Sequence, residues 1–424
     1  MFDPRAVSLA IFIVAYSLFV IFTHKRTLVA SIGAILLILL GAMSLKEAFF
    51  AINWNVMGIF VGTLFVADIF MESRVPAHIA EIIVDKAKNT AWAILLICLL
   101  TGFISAFAEN VATVMIVAPI AIALAKKLNI NPIKMMIAIA ISSNLQGAAT
   151  LIGDPPSMLL GGFAKMNFMD FFFYHGKPSI FFAVQIGMVA SFVVLYFIFR
   201  KEKEKVHVIR VEKVRSWVPT GILVVLIVLL AASSFFDQGV SYAAGLLCMI
   251  AGIIAVLWRK HRHQKSIFKG LKSLDWDTTI FLVAIFILVG GLTHNGWVEI
   301  FSGYLSSLVG ENVFLGYTMI VFLSMVLSAF IDNVPFLATM LPVAMSMSEK
   351  LGIDPPLFLF GLLIGASLGG NITPIGASAN IVACSLLKKE GHSVSFGEFM
   401  KIGVPFTFAA VSAAYLFVWF VWGG

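Results

Sequence analysis

Long apolar stretches separated by short polar segments dominate the hydropathy pattern of this chain. A helix that crosses a bilayer needs about 20 apolar residues. Uninterrupted stretches of roughly this kind recur along the sequence, and each one predicts a membrane-spanning helix. They cover residues 8–23, 28–43, 55–72, 179–200, 217–235, 240–258, 276–294 and 402–422.

Two further apolar regions, 91–166 and 313–388, are interrupted by polar, Gly and Pro residues. Each region predicts a re-entrant hairpin followed by a broken helix. The hairpins cover 93–126 and 313–349, and the broken helices cover 133–166 and 357–388. Unwound backbone at membrane depth is tolerated where it lines a cavity or is buried in protein. The pattern therefore predicts an all-α polytopic membrane protein with ten full spans, two of them broken, and two re-entrant hairpins.

Composition agrees with this class of protein. The chain has 424 residues, of which 60% are hydrophobic and 12% charged, and its mean hydropathy is +1.01. A soluble domain is about half apolar and a quarter charged. The net charge of +7 is concentrated in a few loops, so it indicates topology and not nucleic-acid binding. The three cysteines lie in apolar segments, with neither metal-ligand nor disulfide spacing.

The positive charges predict the orientation of the chain in a plasma (inner) membrane. They place both termini outside, together with residues 169–178 and 295–312. The first apolar run is expected to be a retained span and not a cleaved signal peptide. The basic segments assigned to the cytoplasm are 24–26, 74–88, 200–215, 259–265 and 388–389, with Lys126, Lys127 and Lys134.

The sequence contains an internal repeat. Residues 105–153 align without a gap with residues 328–376, with 17 identities in 49 positions. The matches include Asn, Pro, Gly and Thr positions that apolar composition alone would not align. Each half holds five spans, which is an odd number, so the second copy is expected to enter the membrane in the opposite orientation. Inverted repeats are typical of secondary transporters, with the substrate site near the midplane.

This repeat sets the predicted domain organisation. Residues 1–200 form the first repeat and residues 217–424 the second. Residues 201–216 form a basic cytoplasmic linker between them.

The hairpin tips carry the first candidate site residues. They read Glu109-Asn110-Val111 and Asp332-Asn333-Val334. A carboxylate at the bilayer centre costs about 2.5–3.5 kcal/mol on insertion scales, which favours a functional role. Such a carboxylate could bind a cation or carry a coupled proton. Alternatively, each carboxylate caps the second helix of its hairpin, because anions are favoured at helix N-termini.

The two helix breaks carry the remaining candidates. Glycine and proline should unwind each helix, exposing carbonyl groups and half-helix N-termini to a substrate or ion. Asp154, whose repeat partner is Ala377, is expected to cap the half-helix beginning at Pro156. The alternative for each Ser and Thr is a bond back to its own helix. The candidate substrate- or ion-binding residues at the breaks are Asn144, Gly147, Thr150, Gly153, Asp154, Ser367, Gly370, Asn371, Thr373, Gly376, Ser378 and Asn380.

These phrases resemble the ion transporter superfamily, in particular the group of arsenite efflux permeases, NhaD-type sodium/proton antiporters and the P protein. The resemblance rests on "GAATLIGDPPS" (147–157), "SAFIDNVPF" (328–336) and "SLGGNITPIGASANIV" (367–382). It implies a scaffold part, a transport part built from the hairpins and broken helices, and an elevator-like movement. It also implies a homodimer and, for the arsenite group, a cytoplasmic pump ATPase as a partner.

Dicarboxylate carriers of this superfamily have Ser-Asn-Thr at the tips. The extra negative charges of Glu109 and Asp332 should disfavour a dianion. The leading hypothesis is therefore proton-coupled efflux of arsenite or antimonite, with sodium/proton antiport and organic-acid uptake as alternatives. No cofactor is expected beyond a proton or sodium as coupling ion, and no metal-ligand set. An enzyme is not favoured, because no H-E-x-x-H or G-x-S-x-G motif occurs.

Overall fold

The structure is a computed structural model that describes residues 3–22, 25–128, 130–204, 213–236, 242–263 and 275–423. Parts of three predicted basic segments, namely His24, residues 205–212 of the linker and residues 264–265, lie outside this description.

The described residues are almost entirely helical. In the first half the helices are α1 (Pro4–Ile21), α2 (Arg26–Leu39), α3 (Leu45–Ala51), α4 (Trp54–Glu72), α5 (Val75–Lys86), α6 (Thr90–Ser105), α7 (Asn110–Leu128), α8 (Ile133–Gly147), α9 (Pro155–Phe163) and α10 (Ile180–Phe199). In the second they are α11 (Val218–Ser233), α12 (Ala243–His263), α13 (Trp276–His294), α14 (Trp297–Val309), α15 (Val313–Ser328), α16 (Asn333–Leu351), α17 (Pro356–Gly369), α18 (Ser378–Lys389) and α19 (Phe396–Trp422).

Short elements complete the described chain. Gly370–Ile372 forms a 3₁₀ turn after α17, and Met169–Phe171 forms another after α9. Strands β1 (Phe173–Tyr174) and β2 (Lys177–Pro178) pair antiparallel, with Phe173 opposite Pro178. This ribbon lies in the aromatic segment that the sequence places outside.

The helices are interrupted where the sequence predicts the hairpin tips and the helix breaks. Helices α6 and α7 are separated by residues 106–109, and α15 and α16 by residues 329–332. The break between α8 and α9 covers residues 148–154, and α18 starts at Ser378 after the 3₁₀ turn that follows α17. Both breaks fall at the Gly- and Pro-rich phrases that predicted them.

The span count differs from the sequence prediction. Six described helices are long and apolar enough to cross a membrane, or seven if α14 and α15, which meet at 119°, count as one bent span. Helix α2 has only 14 residues and α11 only 16, although both were predicted as full spans. Helix α7 is long and apolar enough to cross a membrane, although it was predicted as the return arm of a hairpin.

Two segments predicted as loops are helical instead. Residues 75–86 form α5 and residues 297–309 form α14. Both helices begin after a residue in the left-handed conformation, Arg74 or Gly296, and Pro76 stands in the first turn of α5. Both helices contain charged residues, so neither forms the uninterrupted apolar run that predicts a membrane span.

Helix packing repeats between the halves and joins them. Helix α6 packs on α8 as α15 packs on α17. Helix α4 packs against α12, while its counterpart α13 packs against α2. Helix α18 contacts α7 and α8, and α9 contacts α16 and α17. Each half-helix after a break is therefore inserted into the other half of the molecule.

Several contacts join connecting segments that the sequence assigns to the same side of the membrane. Lys126 pairs with Glu390 at 2.6 Å, and the sequence places both segments inside. Lys350 donates to the Glu299 carbonyl at 2.6 Å, and the Trp297 indole donates to the Arg5 carbonyl at 2.9 Å, all in segments predicted outside. The depth and orientation of these segments in a bilayer stay predictions.

Candidate functional site

The two hairpin tips bring their asparagines into the protein interior. Asn110 and Asn333 open α7 and α16, and each is 7% exposed. Glu109 accepts a hydrogen bond from the backbone N–H of Ala112 at 2.8 Å, and Asp332 accepts one from Val334 at 3.0 Å. Both carboxylates therefore cap the second helix of their hairpin, which was the structural alternative in the sequence argument. Capping uses Oε2 of Glu109 and Oδ1 of Asp332, so one oxygen of each carboxylate is engaged by its helix.

A buried polar network connects the first tip to the first broken helix. Ser105 donates to Oδ1 of Asn110, whose Nδ2 donates to Oδ1 of Asn144 at 3.3 Å. Ser143 donates to Ser105 at 3.0 Å. Buried polar groups need such partners, so the network holds the tip against α8.

Asn144 also joins the two halves of the molecule. Its Nδ2 donates to the Ser367 carbonyl and to Oδ1 of Asn371, both at 3.0 Å. Ser367 is the repeat partner of Asn144 itself. The predicted residues of both broken helices are therefore in direct contact.

The helix breaks share one hydrogen-bonding pattern. Thr150 donates to the Ala106 carbonyl at the first tip, and Thr373 donates to the Ala329 carbonyl at the second. Beyond each break, an equivalent side chain satisfies the carbonyl at the end of the preceding helix. Ser157 donates to the Gly147 carbonyl at 3.1 Å, and Asn380 donates to the Gly370 carbonyl at 3.0 Å.

The glycines of the breaks allow close approach of the chain. A Cβ on Gly147 would lie 2.5 Å from Oδ1 of Asn110 and 2.8 Å from Oδ2 of Asp154. A Cβ on Gly370 would lie 2.6 Å from the Gly376 carbonyl, and one on Gly376 would lie 2.6 Å from the Gly370 carbonyl. A Cβ on Gly153 would lie closer still to the Gly147 carbonyl oxygen. These four predicted residues act through their lack of a side chain.

Asp154 is the N-cap of α9, as the sequence predicts. Its Oδ1 accepts from the Ser157 backbone N–H at 3.1 Å and from the Ser157 hydroxyl at 2.9 Å. Its Oδ2 is buried without a hydrogen-bond partner among the described residues. At the matching position in the second half, Ala377 offers no side-chain cap to α18. The two half-helices therefore present different N-termini.

Several predicted residues line one small central cavity of about 50 Å³. They come from both tips, both breaks and α8, and are Glu109, Asn110, Asn144, Asp154, Asn333 and Ser378. The predicted break residues Thr150, Ser367, Asn371, Thr373 and Asn380 are buried but do not line this cavity. Asp332 lines an adjoining cavity instead of the central one.

Larger cavities adjoin the central one on two sides. A cavity of about 220 Å³ is lined by Arg26, Asp277, Asp332 and Ser378, and one of about 350 Å³ by Asp68, Glu109 and Asp275. Arg26 and Ser378 line both the first of these and the central cavity, whereas Glu109 and Asp275 line both the second and the central cavity. One junction is thus acidic and the other carries a cation.

Arg26 is a site residue that the sequence argument missed. It was assigned to a cytoplasmic basic loop, but it begins α2 and forms an ion pair with Asp332. Its guanidinium also lies over the Phe281 ring, 5.2 Å from the centroid. An acidic residue at membrane depth needs a partner, and Arg26 at the start of an apolar run was a candidate. Asp275, the N-cap of α13, is a second lining residue that the sequence argument missed.

The arrangement can hold a small polar molecule or an ion and exchange protons with it. Asparagine side chains both donate and accept, and the carboxylates accept or bind protons. Within the described ranges, no group of three or more His, Cys, Asp or Glu side chains could hold a metal ion.

The chain is similar in sequence to a family of membrane transporters. The family model of the citrate transporter, CitMHS, matches residues 16–354 and 272–423. The uncharacterized transporter Mb2703 of Mycobacterium bovis is 29% identical over 97% of each chain. The human P protein is 25% identical, over 94% of this chain and 58% of its own.

Two solved structures show the same fold. The YdaH transporter of Alcanivorax borkumensis has a TM-score of 0.63 at 13% identity and covers 98% of each chain. MtrF of Neisseria gonorrhoeae, from a class of antimetabolite efflux pumps, has a TM-score of 0.60 at 13% identity, over 99% of this chain and 95% of its own. Because the family model matches nearly the whole sequence, this chain belongs to the citrate transporter family of the ion transporter superfamily and is a membrane transporter, not an enzyme.

Proposed function

We propose that this chain exports arsenite or antimonite as a neutral hydroxide in exchange for protons. The observation that carries the proposal is the small, acidic central cavity between the two tips. Its volume of about 50 Å³ suits a few water-sized groups better than a bulky tricarboxylate.

The charges around the cavity support an uncharged substrate. Glu109, Asp154 and Asp275 line it, and the cation in its wall, Arg26, is paired with Asp332. A multiply charged anion would meet these carboxylates in a low-dielectric site, where repulsion is strong. A neutral hydroxide carries no such penalty.

The amide groups supply matching hydrogen bonds. Asn110, Asn144 and Asn333 line the cavity, and an amide side chain can both donate to and accept from a hydroxyl group. Proton coupling then follows if a lining carboxylate takes up a proton when the hydroxide leaves. The movement is proposed to be elevator-like, in a homodimer, with the hairpins and broken helices as the moving part.

Organic-acid transport is the second candidate, and two observations favour it. Arg26 lines the cavity of about 220 Å³ together with Ser378, at the start of a half-helix that no side chain caps. A helix N-terminus and an arginine both favour a carboxylate. The match to a citrate transporter family points the same way. Sodium/proton antiport is a further alternative, because the central lining is acidic.

Flux into proteoliposomes tests these proposals. The purified protein should be assayed with arsenite, antimonite, sodium, succinate and citrate, each with and without a pH gradient. Arsenite or antimonite flux that depends on the gradient supports the proposal. Citrate or succinate flux at a comparable rate would move the assignment to an organic-acid carrier, and sodium flux alone would move it to an antiporter.

A matched pair of variants links the flux to the site. Asn144→Ala removes an amide that lines the cavity, and it should reduce transport about tenfold, which corresponds to ~1.4 kcal/mol. Asn312→Ala removes an exposed helix cap at the start of α15, and its transport should stay close to wild type. Equal losses in both variants would show that the effect is one of stability.

A further inference from the structure

The two hairpin tips are equivalent in sequence but differ in charge environment. Asp332 forms an ion pair with Arg26, and the two side chains are 20% and 19% exposed. Among the described residues no cation pairs with Glu109, the repeat partner of Asp332. The symmetry of the repeat is therefore broken at the two positions most suited to exchange protons.

Charged and titratable groups from three helices stand near Asp332. Arg26 from α2 is the closest charge, and Asp277 from α13 lines the same cavity. Tyr16 of α1 is the nearby titratable group from a third helix, and its hydroxyl bonds the Pro335 carbonyl and the Thr339 hydroxyl. An adjacent arginine stabilises a carboxylate, so a proton on Asp332 would have to displace that contact.

Among charged residues, Glu109 shares its two cavities mainly with other carboxylates. Asp154 and Asp275 line the central cavity with it, and Asp275 and Asp68 line the cavity of about 350 Å³. The cation near Asp68 is Arg259, which is bound to Asp68 and to Glu72 at 2.8 Å. Arg26 lines the central cavity too but is bound to Asp332, and His78 and Glu81 of the neighbouring α5 line neither cavity. Nearby like charges disfavour a second ionised carboxylate.

We propose that Arg26 is a positioning residue that holds Asp332 ionised, so that Glu109 is the tip carboxylate that exchanges the coupled proton. This proposal rests on the proposed proton-coupled function, and it deepens that function by assigning different roles to the two tips. Glu109 suits its role by position, since it lines both the central cavity and the cavity of about 350 Å³ through which protons can reach it.

Infrared titration of the purified protein tests this assignment without any substrate. A protonated carboxyl group gives a C=O band that an ionised one lacks. Above the pH at which exposed carboxylates titrate, about 4, Glu109→Gln should lose a titrating C=O band that wild type and Asp332→Asn keep. Arg26→Gln should add a second titrating band, because Asp332 then lacks its cation. Lys126→Gln, which breaks an exposed ion pair with Glu390, is the control and should leave the spectrum unchanged.

A double variant separates the proton role from folding. Arg26→Gln or Asp332→Asn alone leaves one partner unpaired and can destabilise the protein. Arg26→Gln with Asp332→Asn removes both charges together. In proteoliposomes the double variant should move as many protons per substrate as wild type, even at a lower rate, whereas Glu109→Gln should uncouple transport.

Two results would overturn the proposal. One is a titrating band that survives in Glu109→Gln and disappears in Asp332→Asn. The other is proton coupling that persists in Glu109→Gln and is lost in the double variant. If the wild type moves none of the tested substrates, the proposed function fails while the infrared result still decides the roles of the two carboxylates.

Discussion

At the scale of single residues, the site depends on glycines as much as on polar side chains. Gly147 allows Asn110 and Asp154 to approach the end of α8, and a Cβ there would lie within 3 Å of both. The polar network of the first tip therefore needs a residue without a side chain at position 147. The same pattern at Gly370 and Gly376 shows that both halves need it.

Gly147→Ala should displace the first tip. Overpacking of this kind costs about 1–3 kcal/mol of stability, and transport should fall by about tenfold. Thermal unfolding in detergent and proteoliposome flux measure the two effects. Gly221→Ala in α11 is the matched control, because its Cβ would meet nothing within 4 Å. A Gly147→Ala protein that transports like the control would show that the tip tolerates the shift.

A second prediction at this scale concerns the threonines of the breaks. Thr373→Val keeps the volume but removes the hydroxyl that donates to the buried Ala329 carbonyl. Leaving that carbonyl without a partner should cost about 1–3 kcal/mol of stability. Thr293→Val removes a hydroxyl of an exposed residue that donates to the Val289 carbonyl within its own helix, α13, and it should cost less. Equal shifts of the unfolding temperature would contradict a special role for Thr373.

At the scale of elements, the two half-helices that follow the breaks differ in how their N-termini are capped. Helix α9 has only nine residues, and Asp154 supplies its cap through two hydrogen bonds to Ser157. Helix α18 begins without a side-chain cap. The short half-helices are held by the opposite half of the molecule, since α9 packs on α16 and α17.

Asp154→Asn and Asp154→Ala should therefore have different effects. Asparagine is as good a cap as aspartate, so Asp154→Asn should fold normally and change transport by removing a charge. Asp154→Ala should lose about 1 kcal/mol of stability as well. Ser395→Ala removes the exposed cap of α19 and should lower stability without altering transport. If Asp154→Asn transports like wild type, the charge of Asp154 has no part in the cycle.

At the scale of the whole molecule, the halves are interlocked and not merely adjacent. Helix α2 packs on α13 of the second half, and α12 packs on α4 of the first half. Asn144 bonds to the second broken helix. A relative movement of hairpins against the outer helices must break the Arg26–Asp332 pair or carry α2 along.

Cysteine labelling tests the predicted inverted orientation. A membrane-impermeant maleimide should label Lys350→Cys from outside intact cells and Lys126→Cys only after the membrane is opened. The background is low, because Cys98 and Cys248 are buried and Cys384 is half-buried. The side chain of Lys126 is 66% exposed, so the reagent can reach that position. Labelling of both positions from the same side would exclude the inverted arrangement.

The sequence by itself determined the helical class, the two hairpins, the two breaks and the residues around them. These features are local: apolar length, Gly and Pro positions and a gapless repeat act on residues close together in the chain. Glu109, Asn110, Asp154 and Asn333 could be found this way. Helices α5 and α14 could not be predicted in this way. Their stability comes from packing and not from an uninterrupted apolar run.

Only the tertiary structure decided which of these residues meet and which charges compensate each other. Arg26 and Asp332 are 306 residues apart, and the same arginine fits a positive loop equally well when sequence alone is considered. Asn144 meets Asn371 because the halves interlock. The different charge environments of the two tips arise in the same way: the repeat makes Glu109 and Asp332 alike, and the packing of α2 against α13 supplies a cation to one of them.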